Sequence, residues 1–524
     1  MGLVQFLHQV SLLTAVLLLL AAMVAVLQCW IRPVRANRKL KKNGFSGPPP
    51  FFPLGNINEM TNKRKKMKGG SGSEQSLKIS HDIHSAVFPF FSHWRQRYGK
   101  VFIYWLGTEP FLYIGEPEFL KQVASGVLSK TWGKPTVFKS DREPLFGKGL
   151  VMVEGEDWAR QRHIITPAFS PNNLKAMMSI MVESTNQMLD KWSSHVRANR
   201  AEINVERGLT DNAAEIIAKT SFGMSNPDGQ KVSEKLQAMQ RMLFKSNRMV
   251  GVPFNKYIHP LQTLESKKLG KEIDDLFLSI ITSRKAKGIR DRGRPVGNDL
   301  LSLLMAENER DGRVGKKLTE RELVDECKTF FFGGLETTAL ALSWTLLVLA
   351  LHPDWQSRLR EEIKEVTGGQ SLNFTMLSKL EKMGWVLNEV LRLYPSSPNI
   401  QRQAREEIRV GEQIIPKGTN IWIDLVGLHH DPDLWEQDVN EFKPERFEKG
   451  SHGWCKHRMG YLPFGLGGRM CIGRNLSIME YKIALASILT RFSFSVSQNY
   501  CHSPAVMLTT RPTHGVQLIL ESLQ

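Results

Sequence analysis

The sequence predicts a mainly α-helical fold with small β-sheets, preceded by a single N-terminal transmembrane helix. One long uncharged apolar run lies near the N-terminus, between residues 10 and 27. Further along, apolar residues recur at helical spacing in long segments, whereas strand-like segments are short and few. Together these observations indicate a mostly helical domain that one helix tethers to a membrane.

The apolar run has about the ~20 residues that a helix needs to cross a bilayer. Six Lys and Arg residues follow it between Arg32 and Lys42, and none precedes it. Because basic flanks stay in the cytosol, we expect a single-pass anchor with the main domain facing the cytosol. The alternative is a cleaved signal peptide, which would carry a positive segment before the apolar run and no basic cluster after it.

We divide the chain into a membrane anchor (1–30), a basic and proline-rich hinge (31–56) and a main domain (57–524). Within the hinge, "GPPPFFPLGN" (47–56) lacks the amide donors for a helix and predicts a stiff, extended spacer. Two polar segments rich in glycine or basic residues predict exposed connections, namely 59–78 and 284–299.

Helices and strands are predicted from the spacing of apolar residues within the main domain. Segments 177–196 and 269–285 show helical periodicity. Residues 100–107 and 110–115 predict a pair of strands, and 408–423 is the best later strand candidate.

Composition narrows the class of partner and the compartment. The 70 Lys and Arg residues exceed the 52 Asp and Glu residues, a net charge of +18 that favours anionic partners. Zinc-finger spacing and basic heptads are absent from the sequence, which argues against a nucleic-acid-binding protein. The five cysteines are scattered and odd in number, which indicates a reducing compartment without a disulfide framework.

The segment "FGLGGRMCIG" (464–473) places Cys471 in a glycine-rich loop. Cys471 has no CxxC or CxxH partner, so a zinc or iron–sulfur site would lack ligands. A lone thiolate serves as a nucleophile or as a haem ligand, and glycines let backbone amides approach the sulfur. Arg469 could pair with a carboxylate or propionate. Taken alone, a tight turn would also explain this loop.

The complete loop resembles the haem-binding loop of the cytochrome P-450 family, F-x-x-G-x-R-x-C-x-G, at every fixed position. The resemblance implies the cytochrome P-450 fold, with 57–524 as a catalytic domain that binds haem b. It further implies that Cys471 is the thiolate ligand of the haem iron, that Arg469 binds a haem propionate and that Phe464 packs over the sulfur.

Other signatures of this family occur in the expected order. "NEVLRLYP" supplies Glu389 and Arg392, which share a helix face, and "FKPERF" supplies Arg446. In the family these three form a structural network; without that context, the pair would be a solvated helix face.

Further residues resemble the family's propionate-binding positions. "EDWARQRH" contains the pattern W-x-x-x-R, which implies that Trp158 and Arg162 reach the haem propionates. Arg402 lies where many members of the family have another basic residue with this role.

The run 331–351 predicts a buried helix, although it contains Gly333, Gly334 and a carboxylate. A kinked core helix with a hydroxyl bonded to the preceding turn is one reading. The run also resembles the family's oxygen-activation motif, [AG]-G-x-[DE]-T-[TS]. That resemblance implies catalytic roles for Thr337, as a hydrogen-bonding group, and for Glu336, as a relay of protons.

The resemblance implies a haem-thiolate monooxygenase that activates O2 with external electrons, because the chain has no flavin or nicotinamide fingerprint. Family members anchored in the endoplasmic reticulum receive electrons from NADPH–cytochrome P-450 reductase, which the basic residues Lys456, Arg458 and Arg474 could dock; a merely solvated positive face is equally compatible. A haem-thiolate isomerase or dehydratase and a non-catalytic haem-binding protein are the alternatives.

Segments around the signatures resemble the plant clan that contains gibberellin, brassinosteroid and cytokinin hydroxylases. This implies a small hydrophobic, terpenoid or hormone-like substrate, with fatty-acid hydroxylation as the alternative. Family positions suggest that Phe330, Ser397, Ile400 and Val506 face the substrate pocket, although each could be ordinary core. Two sequons, at Asn373 and Asn475, test the topology.

Overall fold

The computed structural model describes residues 2–62, 79–124, 132–224, 226–244, 249–255, 260–290, 299–310 and 317–523. Most of the predicted connection 59–78 and half of the predicted connection 284–299, residues 291–298, lie outside the described residues.

Helices form most of the described chain, as predicted. In chain order they are α1 (Gly2–Val26), α2 (Arg32–Lys42), α3 (His84–Val87), α4 (Pro89–Tyr98), α5 (Pro117–Ala124), α6 (Thr136–Phe146), α7 (Gly155–Ile165), α8 (Pro171–Arg197), α9 (Val205–Phe222), α10 (Asn226–Leu243), α11 (Pro260–Arg290), α12 (Leu300–Arg310), α13 (Glu320–Leu351), α14 (Pro353–Thr367), α15 (Glu381–Leu393), α16 (Leu425–His429), α17 (Pro432–Trp435) and α18 (Arg474–Arg491). The predicted helical segments 177–196 and 269–285 lie within α8 and α11.

The strands are short and build small sheets. They are β1 (Val101–Leu106), β2 (Glu109–Ile114), β3 (Trp132–Gly133), β4 (Glu202–Asn204), β5 (Asn399–Ala404), β6 (Ile408–Val410), β7 (Gln413–Ile415), β8 (Asn420–Asp424), β9 (Phe492–Val496), β10 (Pro504–Met507), β11 (Thr509–Pro512) and β12 (Gln517–Ser522). The main sheet has the order β1-β2-β8-β5-β3, with β2 and β8 parallel and its other pairs antiparallel. The predicted pairing of 100–107 with 110–115 is confirmed as β1–β2.

The N-terminal helix is exposed along its whole apolar surface. Helix α1 continues through a π-helical turn (Leu27–Ile31) into the basic helix α2. The span from Gln5 to Lys42 is long and apolar enough to cross a membrane, and its apolar window has no buried residue. Such a helix suits a membrane anchor. Helix α13 passes the same test of length and composition, but it is mostly buried and forms core.

The prediction that residues 47–56 form an extended spacer is wrong. Phe51 and Gly55 form a bridge that closes a tight turn, and the Asn56 amide donates to the Trp105 carbonyl in β1 at 2.9 Å. The Phe52 ring is buried and packs edge-on against Trp105, with 4.9 Å between the ring centroids. Apolar side chains in the segment gain more from burial against the sheet than from hydration, so the turn belongs to the folded domain.

Helix α13 runs through the centre of the core and organises the site. It begins at a capping box, in which the Thr319 hydroxyl accepts from the Glu322 amide while the Glu322 carboxylate accepts from the Thr319 amide. Most of its side chains are buried on every side, which explains why it has no strong apolar face. It ends at Leu351, two residues before Pro353, which starts α14.

Candidate active site

A cavity of about 480 Å³ lies beside the middle of α13. Its walls come from α6, α7, α13, β5, the glycine-rich loop and the start of α18. The lining is mostly apolar, with a group of basic side chains among the apolar ones. Such an enclosure suits a hydrophobic cofactor and substrate.

Cys471 lies on the wall of this cavity, between the helical turn Gly467–Arg469 and α18. The Cys471 amide donates to the Phe464 carbonyl at 2.9 Å, which closes the loop. Gly465 has a φ of +80°, a value that favours glycine. Burial raises the pKa of the Cys471 thiol, whereas the Gly473 amide and the Arg162 guanidinium oppose that rise. The loop therefore presents one sulfur to the cavity.

Arg469 and Trp158 form one basic and aromatic corner of the cavity. The Arg469 guanidinium lies 4.5 Å from the Trp158 ring centroid, and its Nη1 donates to the Val153 carbonyl at 2.8 Å. Its Nη2 is buried and has no hydrogen-bond partner among the described residues. A buried guanidinium nitrogen without an acceptor indicates that a bound group supplies one.

Arg162 and Arg402 extend the same corner. Arg162 donates to the Met470 carbonyl at 3.0 Å, and Arg402 donates to the Gln401 carbonyl at 2.9 Å. Burial, together with the charge of Arg469, lowers the pKa of Arg402 to about 10. The charge of Arg469 acts on both guanidiniums, and neither of them forms an ion pair with a carboxylate within the described part of the chain.

The residues present fit a haem. A thiol faces the cavity from the loop, and Arg162, Arg402 and Arg469, which form no ion pair with a described residue, would bind two propionates. Gly333 also lines the cavity and leaves open space there, because a Cβ added to it would meet no atom within 4 Å. The six residues predicted to bind the cofactor all line this one cavity: Trp158, Arg162, Arg402, Phe464, Arg469 and Cys471.

Thr337 lines the cavity one helical turn beyond Gly333. Its hydroxyl donates to the Gly333 carbonyl at 2.8 Å, which is the hydrogen bond to the preceding turn that the sequence left open. The hydroxyl oxygen can still accept a hydrogen bond from a group in the cavity. Ser396 donates to the Thr337 carbonyl at 3.1 Å and so ties this turn to the strand β5 region.

Glu336 is buried but lies outside the cavity lining. Its Oε2 accepts from Gln240 Nε2 at 2.7 Å, and its Oε1 lies 3.5 Å from Arg511 Nη1. Burial raises the pKa of the Glu336 carboxyl, and the Arg511 charge and the Gln240 hydrogen bond oppose this. The structure therefore brings Thr337 to the cavity and holds Glu336 behind it.

Comparison with known proteins decides the family, because the Cytochrome P450 family matches residues 76–518. The chain belongs to the cytochrome P450 family. It is therefore a cytochrome P450 monooxygenase, in a family that holds haem through a cysteine thiolate.

Curated plant proteins are similar over nearly the whole chain. A "Cytokinin hydroxylase" from Arabidopsis thaliana is 37% identical over 499 residues, which cover 94% of each protein. "Cytochrome P450 714C2" from Oryza sativa subsp. japonica is 35% identical, again over 94% of each protein. "Cytochrome P450 734A1" from Arabidopsis thaliana is 35% identical over 94% of this chain and 93% of that protein.

The predicted network of Glu389, Arg392 and Arg446 is formed in this P450, and all three side chains are fully buried. Arg392 makes two hydrogen bonds to the Glu389 carboxylate, at 2.7 and 2.8 Å. Arg446 Nε lies 3.5 Å from Glu389 Oε1, and its Nη2 donates to Asp438 at 2.5 Å. Arg392 also donates to the Val439 carbonyl, so the network joins α15 to the segment before the haem loop.

Three of the four predicted pocket residues of the P450 line the cavity, namely Phe330, Ser397 and Ile400. Val506 does not; it pairs with Thr510 between β10 and β11, and Leu508 and Thr509 take the lining position. The tight β10–β11 connection, with Leu508 at a φ of +69°, turns these two residues inward. Short-range sequence patterns do not reveal such a turn.

Two basic residues that line the cavity, Lys134 and Arg142, are not singled out by the sequence. They stand in the polar segments "WGKP" and "KSDREP", which resemble exposed surface. Their positive charge was the only feature of the sequence that could have pointed to a place in the site, because the motifs of the family do not include them.

Proposed function

We propose that this P450 inserts one oxygen atom of O2 into a small hydrophobic, terpenoid or hormone-like substrate, with electrons from NADPH delivered by a reductase. The observation that carries the proposal is the cavity itself, which combines the Cys471 thiol, basic groups for the haem and an apolar wall. The similarity to plant proteins named cytokinin hydroxylase supports a hormone-like substrate.

Cys471 would hold the haem iron, and Trp158, Arg162, Arg402 and Arg469 would bind the haem carboxylates by charge-assisted hydrogen bonds. The bound haem supplies the oxygen-activating chemistry, which its thiolate ligand favours.

Thr337 and Glu336 would handle protons. Thr337 lines the cavity, and its hydroxyl oxygen can accept a hydrogen bond there while its proton is donated to the Gly333 carbonyl. Glu336 stands one residue earlier, and burial raises the pKa of its carboxyl, so this group binds a proton more readily than an exposed carboxyl does. We propose that Glu336 moves protons from the Gln240 and Arg511 side of α13 towards Thr337.

Apolar residues would orient the substrate and exclude water. Phe330 and Phe332 of α13, Ile400 of β5 and Leu508 face the cavity. An apolar wall favours an apolar substrate, and it strengthens every polar contact made inside.

The exposed helix α1 supports a proposal for the membrane location of the enzyme. We propose a single-pass protein of the endoplasmic reticulum membrane with its catalytic domain in the cytosol. Lys456 and Arg458 are exposed and suit docking of an acidic reductase, whereas Arg474 is partly buried over the Phe464 ring.

The sequons test this orientation. Asn373 and Asn475 are both exposed, so a lumenal domain would offer them to the glycosylation machinery. We expect no glycosidase-sensitive mass shift in protein made by plant cells. A shift at either site would reverse the orientation.

The function is tested with the full-length protein and a plant reductase in lipid vesicles. We expect candidate isoprenoid hormones to change the spin state of the haem, and the true substrate to be hydroxylated with consumption of NADPH and O2. Conversion without NADPH would indicate an isomerase or dehydratase, and a haem protein without turnover would indicate a sensor or carrier. Hydroxylation of fatty acids alone would favour the alternative substrate class.

The thiolate assignment has its own test. We expect Cys471→Ala to abolish the ferrous–CO band that is typical of thiolate ligation. An unchanged band in this variant would exclude Cys471 as the ligand.

A further inference from the structure

Helix α2 carries a row of positive charge without anionic partners. Its six basic side chains are all exposed: Arg32, Arg35, Arg38, Lys39, Lys41 and Lys42. The helix contains no acidic residue, and none of the six forms an ion pair with another residue that the structure describes. Like charges on one short helix repel one another, so an anionic surface placed against them would bind favourably.

The opposite face of α2 is packed on the folded domain. Pro33 and Leu40 are buried, and Leu40 belongs to the same apolar cluster as Leu112 of β2. Directly after the helix, the Gln413 side chain donates to the Gly44 carbonyl at 3.0 Å. This packing fixes α2 on the domain and holds its basic face outwards.

The exposed helix α1 leads directly into this basic face. The two belong to one continuous helix from Gln5 to Lys42, whose apolar window has no buried residue. Trp30 is 55% exposed at the end of the apolar run, and tryptophan is enriched where a membrane helix meets the lipid headgroups. In the proposed membrane location, Trp30 therefore marks the level of the cytosolic headgroups.

The basic residues lie at increasing distances from this level. With a rise of ~1.5 Å per residue along the helix axis, Arg32 lies about 3 Å beyond Trp30 and Arg35 about 8 Å, whereas Lys41 and Lys42 lie about 17–18 Å beyond it. The attraction to an anionic surface falls off within a Debye length, which is about 8 Å at physiological ionic strength. Arg32 and Arg35 are thus within reach of the headgroups, and the last two lysines are not.

The residue types follow the same order. The three arginines come first, between Arg32 and Arg38, and the three lysines follow between Lys39 and Lys42. A guanidinium binds a phosphate through two parallel hydrogen bonds, whereas an ammonium acts as a point charge. The positive-inside tendency counts Lys and Arg alike, so it accounts for the number of these charges and not for their order.

We propose that Arg32 and Arg35 bind the phosphate-bearing headgroups of anionic lipids in the cytosolic leaflet. Because α2 is packed on the main sheet, this binding also orients the catalytic domain on the membrane. The inference rests on the proposed membrane location and adds a partner, an anionic lipid surface, that the catalytic cavity does not involve. An acidic protein would be attracted by the same charges, but the continuity of α1 with α2 brings lipid headgroups to these two arginines.

The lipid selectivity of the full-length, haem-loaded protein tests this binding. The protein is reconstituted in phosphatidylcholine vesicles that contain a trace of either spin-labelled phosphatidylserine or spin-labelled phosphatidylcholine. The electron paramagnetic resonance spectrum separates lipid in contact with the protein from free lipid, so it gives a relative association constant without reductase or turnover. We expect phosphatidylserine to associate about fivefold more strongly, and this preference to weaken as salt is added.

Matched variants assign the preference to residues. We expect the double variant Arg32→Gln, Arg35→Gln to lose most of the preference. The double variant Lys41→Gln, Lys42→Gln loses the same charge from the same helix and should keep it. The double variant Arg32→Lys, Arg35→Lys retains the charge that sets the orientation across the membrane and should show an intermediate preference. All of these side chains are exposed, so the haem content should not change.

The orientation of the domain provides a second measurement. In stacked bilayers, the linear dichroism of the Soret band reports the angle between the haem and the membrane. We expect a larger dichroism in bilayers that contain phosphatidylserine than in phosphatidylcholine alone, and no such increase in Arg32→Gln, Arg35→Gln. Equal dichroism of the unchanged protein in the two lipids would overturn the orienting role.

Several outcomes of the selectivity measurement would contradict the proposal. Equal association of both lipids with the unchanged protein would exclude the site, and equal losses in the two glutamine double variants would reduce it to attraction by net charge. A preference that inorganic phosphate abolishes, but chloride at the same ionic strength does not, would assign the arginines to free phosphate. Loss of the protein from the vesicles would refute the proposed membrane location together with this inference, whereas retention without selectivity refutes the inference alone.

Discussion

Glu336 shows how one side chain's surroundings define its role. Its carboxylate is buried between Gln240 of α10 and Arg511 of β11, and Gln240 also donates to the Met507 carbonyl at 3.0 Å. Gln240 thereby joins three elements around one acid. We regard Gln240 as a positioning residue, since it contacts the acid and lies outside the cavity lining.

Replacing Gln240 should change the pKa of the Glu336 carboxyl. Gln240→Leu removes a hydrogen bond that stabilises the charged carboxylate, so the pKa of Glu336 should rise. We expect the ratio of product formed to NADPH consumed to peak at a higher pH, with little change in the KM for the substrate. The measurement is product and NADPH turnover across a pH series.

The control for this variant is Gln237→Leu, one helical turn earlier, where the amide bonds Ser233 instead. It should leave the pH profile unchanged. Identical profiles in Gln240→Leu and the unchanged protein would show that Gln240 has no part in the proton relay.

Glu326 is a buried carboxyl of α13 that the proposed mechanism does not use. Burial raises its pKa from the usual 4.5 to about 8. The folded protein therefore keeps this proton up to about pH 8, whereas the unfolded chain loses it near pH 4.5. Unfolding releases a proton between these values, so the free energy of unfolding falls as the pH rises through this window.

Glu326→Gln should remove that pH dependence. We expect roughly 4 kcal/mol more stability than the unchanged protein at pH 7.5, because the unchanged protein loses about 1.4 kcal/mol for each pH unit above the unfolded pKa, and almost no gain at pH 4.5. The urea midpoint, followed by tryptophan fluorescence across this pH range, measures the effect. Glu365→Gln, at an exposed site, is the matched control, and a gain that does not vary with pH would contradict the assignment.

Helix α13 carries two adjacent glycines whose surroundings differ. A Cβ on Gly333 would meet no atom within 4 Å and would enter the cavity, whereas a Cβ on Gly334 would lie 2.5 Å from Ile217 Cδ1 and 2.9 Å from Ile217 Cγ1. Ile217 belongs to α9 and is 3% exposed, so it has little room to move. Gly333 thus keeps space for ligands, and Gly334 allows close packing of α13 on α9.

The two alanine variants should therefore have opposite effects. Alanine favours the helix by about 1 kcal/mol over glycine, so Gly333→Ala should be as stable as the unchanged protein or more so, but should bind imidazole more weakly. Gly334→Ala should lose roughly 1 kcal/mol, because overpacking costs more than the helix gains. Thermal unfolding and imidazole titration of both variants measure this; weaker imidazole binding in Gly334→Ala alone would reverse the assignment.

The boundary between anchor and folded domain follows from packing. Leu40, Phe45 and Phe52 are buried against the main sheet, and the Asn43 side chain donates to the Ile414 carbonyl at 2.8 Å. The folded domain therefore includes the second half of the segment that the sequence marks as a hinge. The three-part division at residues 30 and 56 itself stays a prediction.

Two truncations distinguish these boundaries. A chain of residues 31–524 should fold and bind haem, because the removed helix α1 is exposed throughout. A chain of residues 57–524 should lose several kcal/mol, since each large apolar side chain removed from the core contributes about 1.5–3 kcal/mol. Soluble yield and the ferrous–CO band measure both, and equal behaviour of the two chains would show that residues 31–56 do not stabilise the domain.

Local sequence was sufficient to predict much of the fold and the cofactor end of the site. The loop from Phe464 to Gly473 has its residues at fixed spacing, so the sulfur, the arginine and the glycines come together without distant partners. The long helix α13 and the strand pair β1–β2 follow from periodicity for the same reason. Trp158 and Arg402 required the family resemblance, because they come from α7 and β5.

The pattern of residues thus determined the apolar N-terminal helix, the helical class and the family, and it predicted the membrane anchor and the haem loop; all of these depend on neighbours along the chain. Tertiary structure alone decided that Glu336 faces Gln240 and Arg511, that residues 47–56 close a turn on the sheet, and that Lys134 joins the basic groups of the cavity. Those outcomes depend on burial and on charges brought together from elements far apart in the sequence. The free-energy cost of burying a polar group, and the partner that it bonds to, are set only when these elements pack.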